Sequence, residues 1–255
     1  FYYIESPLVK ILTEMEYYGV RADRDYLSSL SDELRKDLEL INEQLQGFVS
    51  NPFNPNSSKQ IGEILFKEFK LPVIKKTKTG QYITSEDILV TLRSKHPVVS
   101  KILEYRGLKK LLSTYIDALP LLVKKQTGKI HTSYNQAVTS TGRLSSSNPN
   151  LQNIPVRDAV GKKIRTGFIV DKGCSMLSAD YSQIELRLAA HLSKDPTMIE
   201  AFQKGIDIHA QTASSVFNVP LHEVTEQMRR QAKIINFATI YGVSPYGLSQ
   251  QADIT

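Results

Sequence analysis

Between Arg24 and Phe48 the apolar residues Leu27, Leu30, Leu34, Leu38, Ile41, Leu45 and Phe48 recur at steps of three and four, with charges between them. That period puts one apolar stripe along a helix of about seven turns. A stripe so long is stable only against a partner. The next long run of this kind, Val98 to Val123, carries Ile102, Leu103, Leu108, Leu111, Leu112, Ile116 and Leu119. Between the two, "NPFNPNSS" (51–58) breaks the helix pattern and Lys59–Phe69 reads as a short helix. Two long helices with an insertion fit either a protruding helical hairpin or a plain bundle, and periodicity does not separate them.

The insertion matters for charge. Residues 1–50 hold 5 Lys/Arg against 10 Asp/Glu, residues 51–130 hold 15 against 6, and residues 131–255 hold 12 against 10. The net +6 of the chain therefore comes from one segment, which includes "KKTKTG" at 75–80. Such a segment is a solvated basic loop or a surface that tracks phosphates. Cys174 is the single cysteine, which excludes an internal disulfide and fits a reducing cytosol. Five scattered histidines lack zinc-ligand spacing. No apolar run is long enough for a bilayer and no signal peptide is visible, so a cytoplasmic protein without membrane contact is expected.

After residue 125 the composition changes. "GKIHTSYNQAV" (128–138) reads as a strand, 140–155 as a polar loop, and "CSMLSAD" (174–180) as a short buried strand leading into a helix at 182–193. Helical patterns follow at 199–204, 207–217 and about 221–241, and Gly242 and Pro245 mark the next break. Helices, then mixed strand and helix, then helices predict an α+β fold.

Three stretches carry chemistry. The loop holds Thr141, Arg143, Ser145, Ser146, Asn148, Asn150, Gln152 and Asn153, donors and acceptors suited to phosphates, sugars and minor-groove edges, although surface loops share this composition. In "SADYSQIELRLAAHLS" (178–193), Asp180 places a carboxylate at a strand end, while Ser182 and Glu185 match the S-x-x-E capping box. Arg187 and His191 stand one turn apart and read as a packed or solvated pair. On a wheel set at Arg229, Lys233 lies about 40° away, Phe237 about 80° and Tyr241 about 120°. Met228, Ala232, Ile234, Ile235 and Ala238 occupy the other arc. A face that is cationic at its start and aromatic at its end suits a nucleoside triphosphate. No GxxxxGK[ST] phosphate loop is present.

These stretches, with "HTSYNQAVTSTGRLSSSNPNLQNIPVR" (131–157), "DIHAQTAS" (207–214), "RRQAKIINFATIYG" (229–242), "SPLVKILTEMEYYGV" and "LEYRGLKKLLSTY", resemble the A family of DNA polymerases, its bacterial members above all. The likeness runs over essentially the whole chain. It implies a right-hand fold: residues 1–125 as thumb with an N-terminal palm-side helix, 126–195 as the first part of an antiparallel palm, and 196–255 as fingers. Asp180 is similar to the family's first metal-binding aspartate, with the Tyr181 backbone carbonyl as a further ligand. Glu185 resembles the residue that crowds a ribose 2′-hydroxyl. Arg229 and Lys233 resemble the triphosphate-binding pair, with His209 and Gln183 near the incoming nucleotide. Phe237 corresponds to the aromatic residue beside the sugar and Tyr241 to the one near the templating base. Arg143, Asn150 and Gln152 resemble contacts near the primer end. Asn54, Ser57, Arg106 and Lys110 resemble further DNA contacts.

The implied reaction is attack of a primer 3′-hydroxyl on the α-phosphate of a deoxynucleoside triphosphate, with two Mg²⁺ ions and loss of pyrophosphate. Primer–template DNA and deoxynucleotides are the implied partners, and a monomer the implied state of the complete protein. The family's second metal-binding aspartate belongs to a His-Asp-Glu motif that would follow Thr255. A truncated or split polymerase, inactive alone, is therefore one expectation, and a silent primer–template-binding module the alternative. Ala238 and Thr239 stand where the family usually has glycine and an apolar residue. Because Ala238 lies in the packing arc, a change in packing is expected there and no loss of chemistry.

Overall fold

The computed structural model describes residues 1–156, 158–245 and 247–248. Two compact units divide the chain, Phe1–Met176 and Leu177–Thr255. Residues 157, 246 and 249–255, which fall in the loop motif and the expected fingers, lie outside the described residues.

The first unit begins with α1 (Glu5–Tyr18), β1 (Val20–Ala22) and α2 (Arg24–Gln46). It continues through α3 (Ser58–Glu63), a π-helical turn at Ile64–Glu68, α4 (Glu86–Leu92) and α5 (Pro97–Leu111). A second π-helical turn (Leu112–Ile116) and α6 (Ala118–Leu122) follow. The start of α2 is set by Asp23, whose side chain accepts from Tyr26 N–H at 2.9 Å, the usual device for an orphan helix-start donor. For α5, His96 Nδ1 accepts from Val98 N–H and Pro97 takes the first helical position, where its missing N–H is harmless. The stripe of α2 is buried from Leu27 to Leu45, and α2 and α5 pack together. Ile61, Leu65 and Phe66 from α3 and its π turn, and Ile88, Leu89 and Leu92 from α4, enter the same core. The insertion between the long helices is thus part of the packed cluster. Its "KKTKTG" folds into a tight turn, with Thr77 N–H donating to Gln81 O at 2.8 Å and Lys76 Nζ 4.9 Å from the Tyr82 ring centre. Lys75, Lys76 and Lys78 are all exposed there.

Two small antiparallel sheets complete this unit. One has the order β2 (Lys129–Ile130), β1, β5 (Phe168–Ile169), with Val20 opposite Ile130 and Ala22 opposite Phe168. The other pairs β3 (Ser133–Asn135) with β4 (Ser145–Ser147), Tyr134 facing Ser146. The single strand expected over 128–138 is thus two strands in two sheets, parted at His131–Thr132. There His131 Nδ1 meets Glu16 O at 2.8 Å and the Thr132 hydroxyl donates to Pro149 O at 2.7 Å. α7 (Ala159–Thr166), unforeseen from the sequence, starts on Asp158, whose carboxylate accepts from Gly161 N–H at 2.5 Å.

The strand expected at 174–180 does not form. An extended segment becomes a strand when neighbours take its N–H and C=O groups. Among the described residues no strand pairs with this one, and Met176 and Leu177 are 64% and 88% exposed.

The second unit is helical in its described residues: α8 (Ile184–Ser193), α9 (Pro196–Gln203), α10 (Ile208–Phe217), a 3₁₀ turn at Leu221–Glu223 and α11 (Glu226–Ile240). Asp195, Asp207 and Thr225 cap α9, α10 and α11. Leu186, Ala201 and Ile208 form its small core, and α10 packs along α11. Across both units the molecule is mostly helical with small antiparallel sheets, the α+β expectation in its coarse form. No described helix is long and apolar enough to cross a membrane.

Candidate active site and nucleic-acid interface

In the second unit the helix face predicted from the wheel exists. Ala232 and Ala238 are buried on the packing side of α11, whereas Lys233 is exposed. The Phe237 and Tyr241 rings lie nearly parallel, 17° apart, with centres 6.4 Å from one another. His209, in the first turn of α10, sits 5.9 Å from the Phe237 ring. The Tyr241 hydroxyl donates to Glu185 Oε2 at 2.6 Å, which ties the end of α11 to the first turn of α8. His209, Phe237, Tyr241 and Glu185 therefore form one continuous row.

Glu185 does not work as a capping-box residue. Gln183 occupies the cap position of α8 with left-handed backbone (φ 54°), and no side chain caps the helix. The helix starts one residue later than S-x-x-E requires, so Glu185 stands at the second helical position and turns to Tyr241. Ser182 contributes its carbonyl, which accepts from Arg187 Nε at 2.9 Å. Arg187 also lies over the Phe202 ring at 4.6 Å, so it is packed instead of paired with His191.

Arg229 is held from α10. Asp207 Oδ2 accepts from its Nε at 2.6 Å, while Oδ1 accepts from the backbone N–H of His209 and Ala210 at 2.9 and 3.3 Å. Burial alone would raise the Asp207 pKa. The Arg229 guanidinium and the two backbone donors outweigh it and hold the carboxyl below the usual aspartate range. His209 is only 2% exposed. Burial pushes its pKa down, Arg229 and Lys233 push the same way, and Asp207 only partly opposes them, so the neutral imidazole is favoured. Its Nδ1 lies 3.0 Å from Asn236 Nδ2, and Asn236 Oδ1 meets the Thr212 hydroxyl at 3.0 Å. Sequence reasoning missed Asp207, Asn236 and Thr212. The helix-start position of Asp207 signals a cap but not its second partner. Asn236, about 20° from Arg229 on the wheel, was the available sign of a polar contact at the edge of the packing arc.

Asp180 and Tyr181 are exposed, and among the described residues no hydrogen bond or ring contact joins them to this row. No group of three or more His, Cys, Asp or Glu able to hold a metal forms among the described residues. An aspartate and a backbone carbonyl supply two oxygen donors. Mg²⁺ is commonly bound by one or two carboxylates with water and substrate phosphates filling its remaining positions. The residues present fit such a shared site and do not fit a closed protein cage.

In the first unit the residues expected to contact DNA lie in two places. Asn54 Oδ1 accepts from Asn56 N–H at 2.9 Å, and Ser57 caps α3 by accepting from Gln60 N–H at 3.3 Å. Arg106 of α5 donates to the Thr84 carbonyl, and to Thr84 Oγ1 and Ser58 Oγ at 3.2 and 3.4 Å. Burial lowers its pKa. Lys110, one turn on, is exposed. In the polar loop Asn150 Oδ1 gathers the N–H groups of Gln152 and Asn153 at 3.0 and 3.2 Å and the Ser146 hydroxyl at 3.1 Å. Arg143 and Gln152 are exposed on this loop, and the Arg143 carbonyl accepts from Thr139 Oγ1 at 2.5 Å.

One unit carries a helix face that is cationic at its start and aromatic at its end, the other long helices with two small sheets, and the chain as a whole has a clear family. The chain belongs to DNA polymerase family A, whose model matches residues 24–255. It is 52% identical over 253 residues to DNA polymerase I of Bacillus subtilis (strain 168), covering 99% of this chain and 29% of that protein. It is 50% identical over 252 residues to the thermostable DNA polymerase I of Thermus aquaticus, covering 98% and 30%. A solved structure described as the POL domain of Pol1 from M. smegmatis, in complex with DNA primer-template and dNTP, aligns with a TM-score of 0.87 at 41% identity. The alignment covers 99% of this chain and 45% of that one. The chain thus spans less than a third of the length of these curated relatives.

Proposed function

We propose that this chain is the portion from thumb to fingers of a DNA-directed DNA polymerase, which extends a primer with deoxynucleotides. Residues 1–125 form the thumb with a palm-side helix, 126–195 the first part of the palm and 196–255 the fingers. The observation that carries the reading is the row His209, Phe237, Tyr241 and Glu185, with Arg229 held at its start by Asp207, an order that suits phosphate, sugar and base. Arg229 and Lys233 offset the charge of the triphosphate. Neutral His209 offers a hydrogen bond without adding charge. Phe237 presents an apolar face to the sugar, Glu185 limits space at its 2′ position, and Gln183 lies near the nucleotide. Tyr241 abuts the templating base. Asn54, Ser57, Arg106, Lys110, Arg143, Asn150 and Gln152 contact primer–template DNA. Asp180 and the Tyr181 carbonyl would hold Mg²⁺, which when bound supplies charge stabilisation to the attacking and leaving oxygens.

Primer extension with Mg²⁺ by a version of this chain lengthened to the extent of its relatives, beside Asp180→Ala and Arg229→Ala, tests this. Removal of a carboxylate that shares a metal, or of a phosphate-binding guanidinium, is expected to cost about 10²-fold or more in rate. Undiminished extension by either variant would overturn the role given to that residue. Tight primer–template binding without extension by the lengthened protein would favour a binding module.

A further inference from the structure

The Asp207 carboxylate does two jobs that the family reading leaves unused: it ends on the first turn of α10 with one oxygen and on Arg229 with the other. We propose that Asp207 is a positioning residue for the triphosphate and acts through Arg229, fixing the guanidinium plane in which the phosphates are met. The inference rests on Arg229 being a phosphate ligand, and names the group that orients it.

Geometry supports an anchor over a mobile counter-ion. Oδ1 is committed to the His209 and Ala210 N–H groups, so the carboxylate cannot turn away without uncapping α10. The contact to Arg229 is through Nε, one of five N–H groups on the guanidinium and the one nearest the stem. A bond at that edge restricts rotation of the planar group while the phosphate-facing fork is left to other partners. The same carboxylate accepts from the backbone N–H of His209, so Arg229 and the first turn of α10 take their positions from one residue. Stability alone is a weak explanation for the pair. Its side chains are 43% and 36% exposed, and exposed ion pairs contribute little to folding.

A carboxylate near a triphosphate also repels it. Had Asp207 served only as a competitor for the phosphate-binding guanidinium, removing its charge would tighten nucleotide binding. The anchor predicts the reverse. Asp207→Asn separates these cases, because asparagine caps a helix about as well as aspartate but loses the charged bond to Arg229.

The test measures binding of a complementary deoxynucleoside triphosphate to the lengthened protein with primer–template, for wild type, Asp207→Asn, Arg229→Ala and the double variant. Circular dichroism checks that α10 is retained. Asp207→Asn is expected to weaken binding about 5-fold, the upper end for a partly exposed charged pair. It is expected to have no further effect in the Arg229→Ala background. A merely structural cap would leave Asp207→Asn at the wild-type affinity. That result, or tighter binding, with Arg229→Ala still impaired would overturn the anchor and leave the polymerase reading standing. If Arg229→Ala binds as well as wild type, or the lengthened wild-type protein binds no triphosphate, the phosphate role of Arg229 fails and the anchor fails with it.

Discussion

His209 shows how a single side chain is tuned by its surroundings. It stands among Asp207, Arg229 and Lys233, and burial sets the outcome by holding its pKa below the ordinary 6.5. A histidine depressed in the folded state binds protons more readily once the chain unfolds. Its contribution to stability is therefore complete above about pH 6.5 and is lost as the pH falls through that value towards the folded pKa. Asp207, also depressed, acts in the same direction at lower pH, below its ordinary 3.8. Thermal unfolding of the wild-type chain is expected to move to lower temperature between about pH 7 and pH 5 by more than that of His209→Gln. Parallel shifts in the two proteins would show that His209 is not the group responsible.

At the scale of elements, α11 is decided by which of its faces is small. Ala238 is 4% exposed and lies on the face that packs against the rest of its unit. Glycine at this helical position is expected to cost about 0.5–1 kcal/mol through backbone entropy, with similar triphosphate affinity and incorporation. Denaturant unfolding of Ala238→Gly gives the first number, and titration and primer extension in the lengthened protein give the others. A large change in incorporation would mean that the alanine alters how the helix works and not only how it packs. Gly19 makes the same point about close approach. Its φ is +64°, and an added Cβ would lie 2.8 Å from the Ile130 carbonyl oxygen, so the α1–β1 turn admits only glycine without rearrangement.

For the whole molecule, the two units differ in how much apolar surface they bury. The first has a core running from Ala22 to Ile164, built from the long helices and the insertion between them, while the described core of the second is Leu186, Ala201 and Ile208. Hydrophobic stabilisation scales with area removed from water, and small cores leave little surplus over chain entropy. Amide hydrogen exchange is accordingly expected to be slowest in α2 and α5 and faster throughout α8 to α11. Equal protection in the two units would contradict this.

The amino-acid sequence by itself determined the long helices, the segregation of charge and membership of the polymerase family. Spacings of three and four residues and contiguous motifs are local properties, visible without a fold. It also placed Arg229, Lys233, Phe237 and Tyr241 on one face, because a helix converts spacing into direction. Only tertiary structure decided what those residues meet. Glu185 matches a capping pattern, yet bonds to Tyr241, 56 residues away, because α8 begins one position late. Asp207 reads as a cap, yet its other oxygen takes Arg229, 22 residues on, because α10 and α11 pack together. The apolar 174–177 run looks like a buried strand, yet is exposed where no described strand supplies its hydrogen bonds. Each difference has the same physical source. Propensity and periodicity act within a few residues, whereas the partner of a polar group or a strand edge is chosen by packing between distant segments.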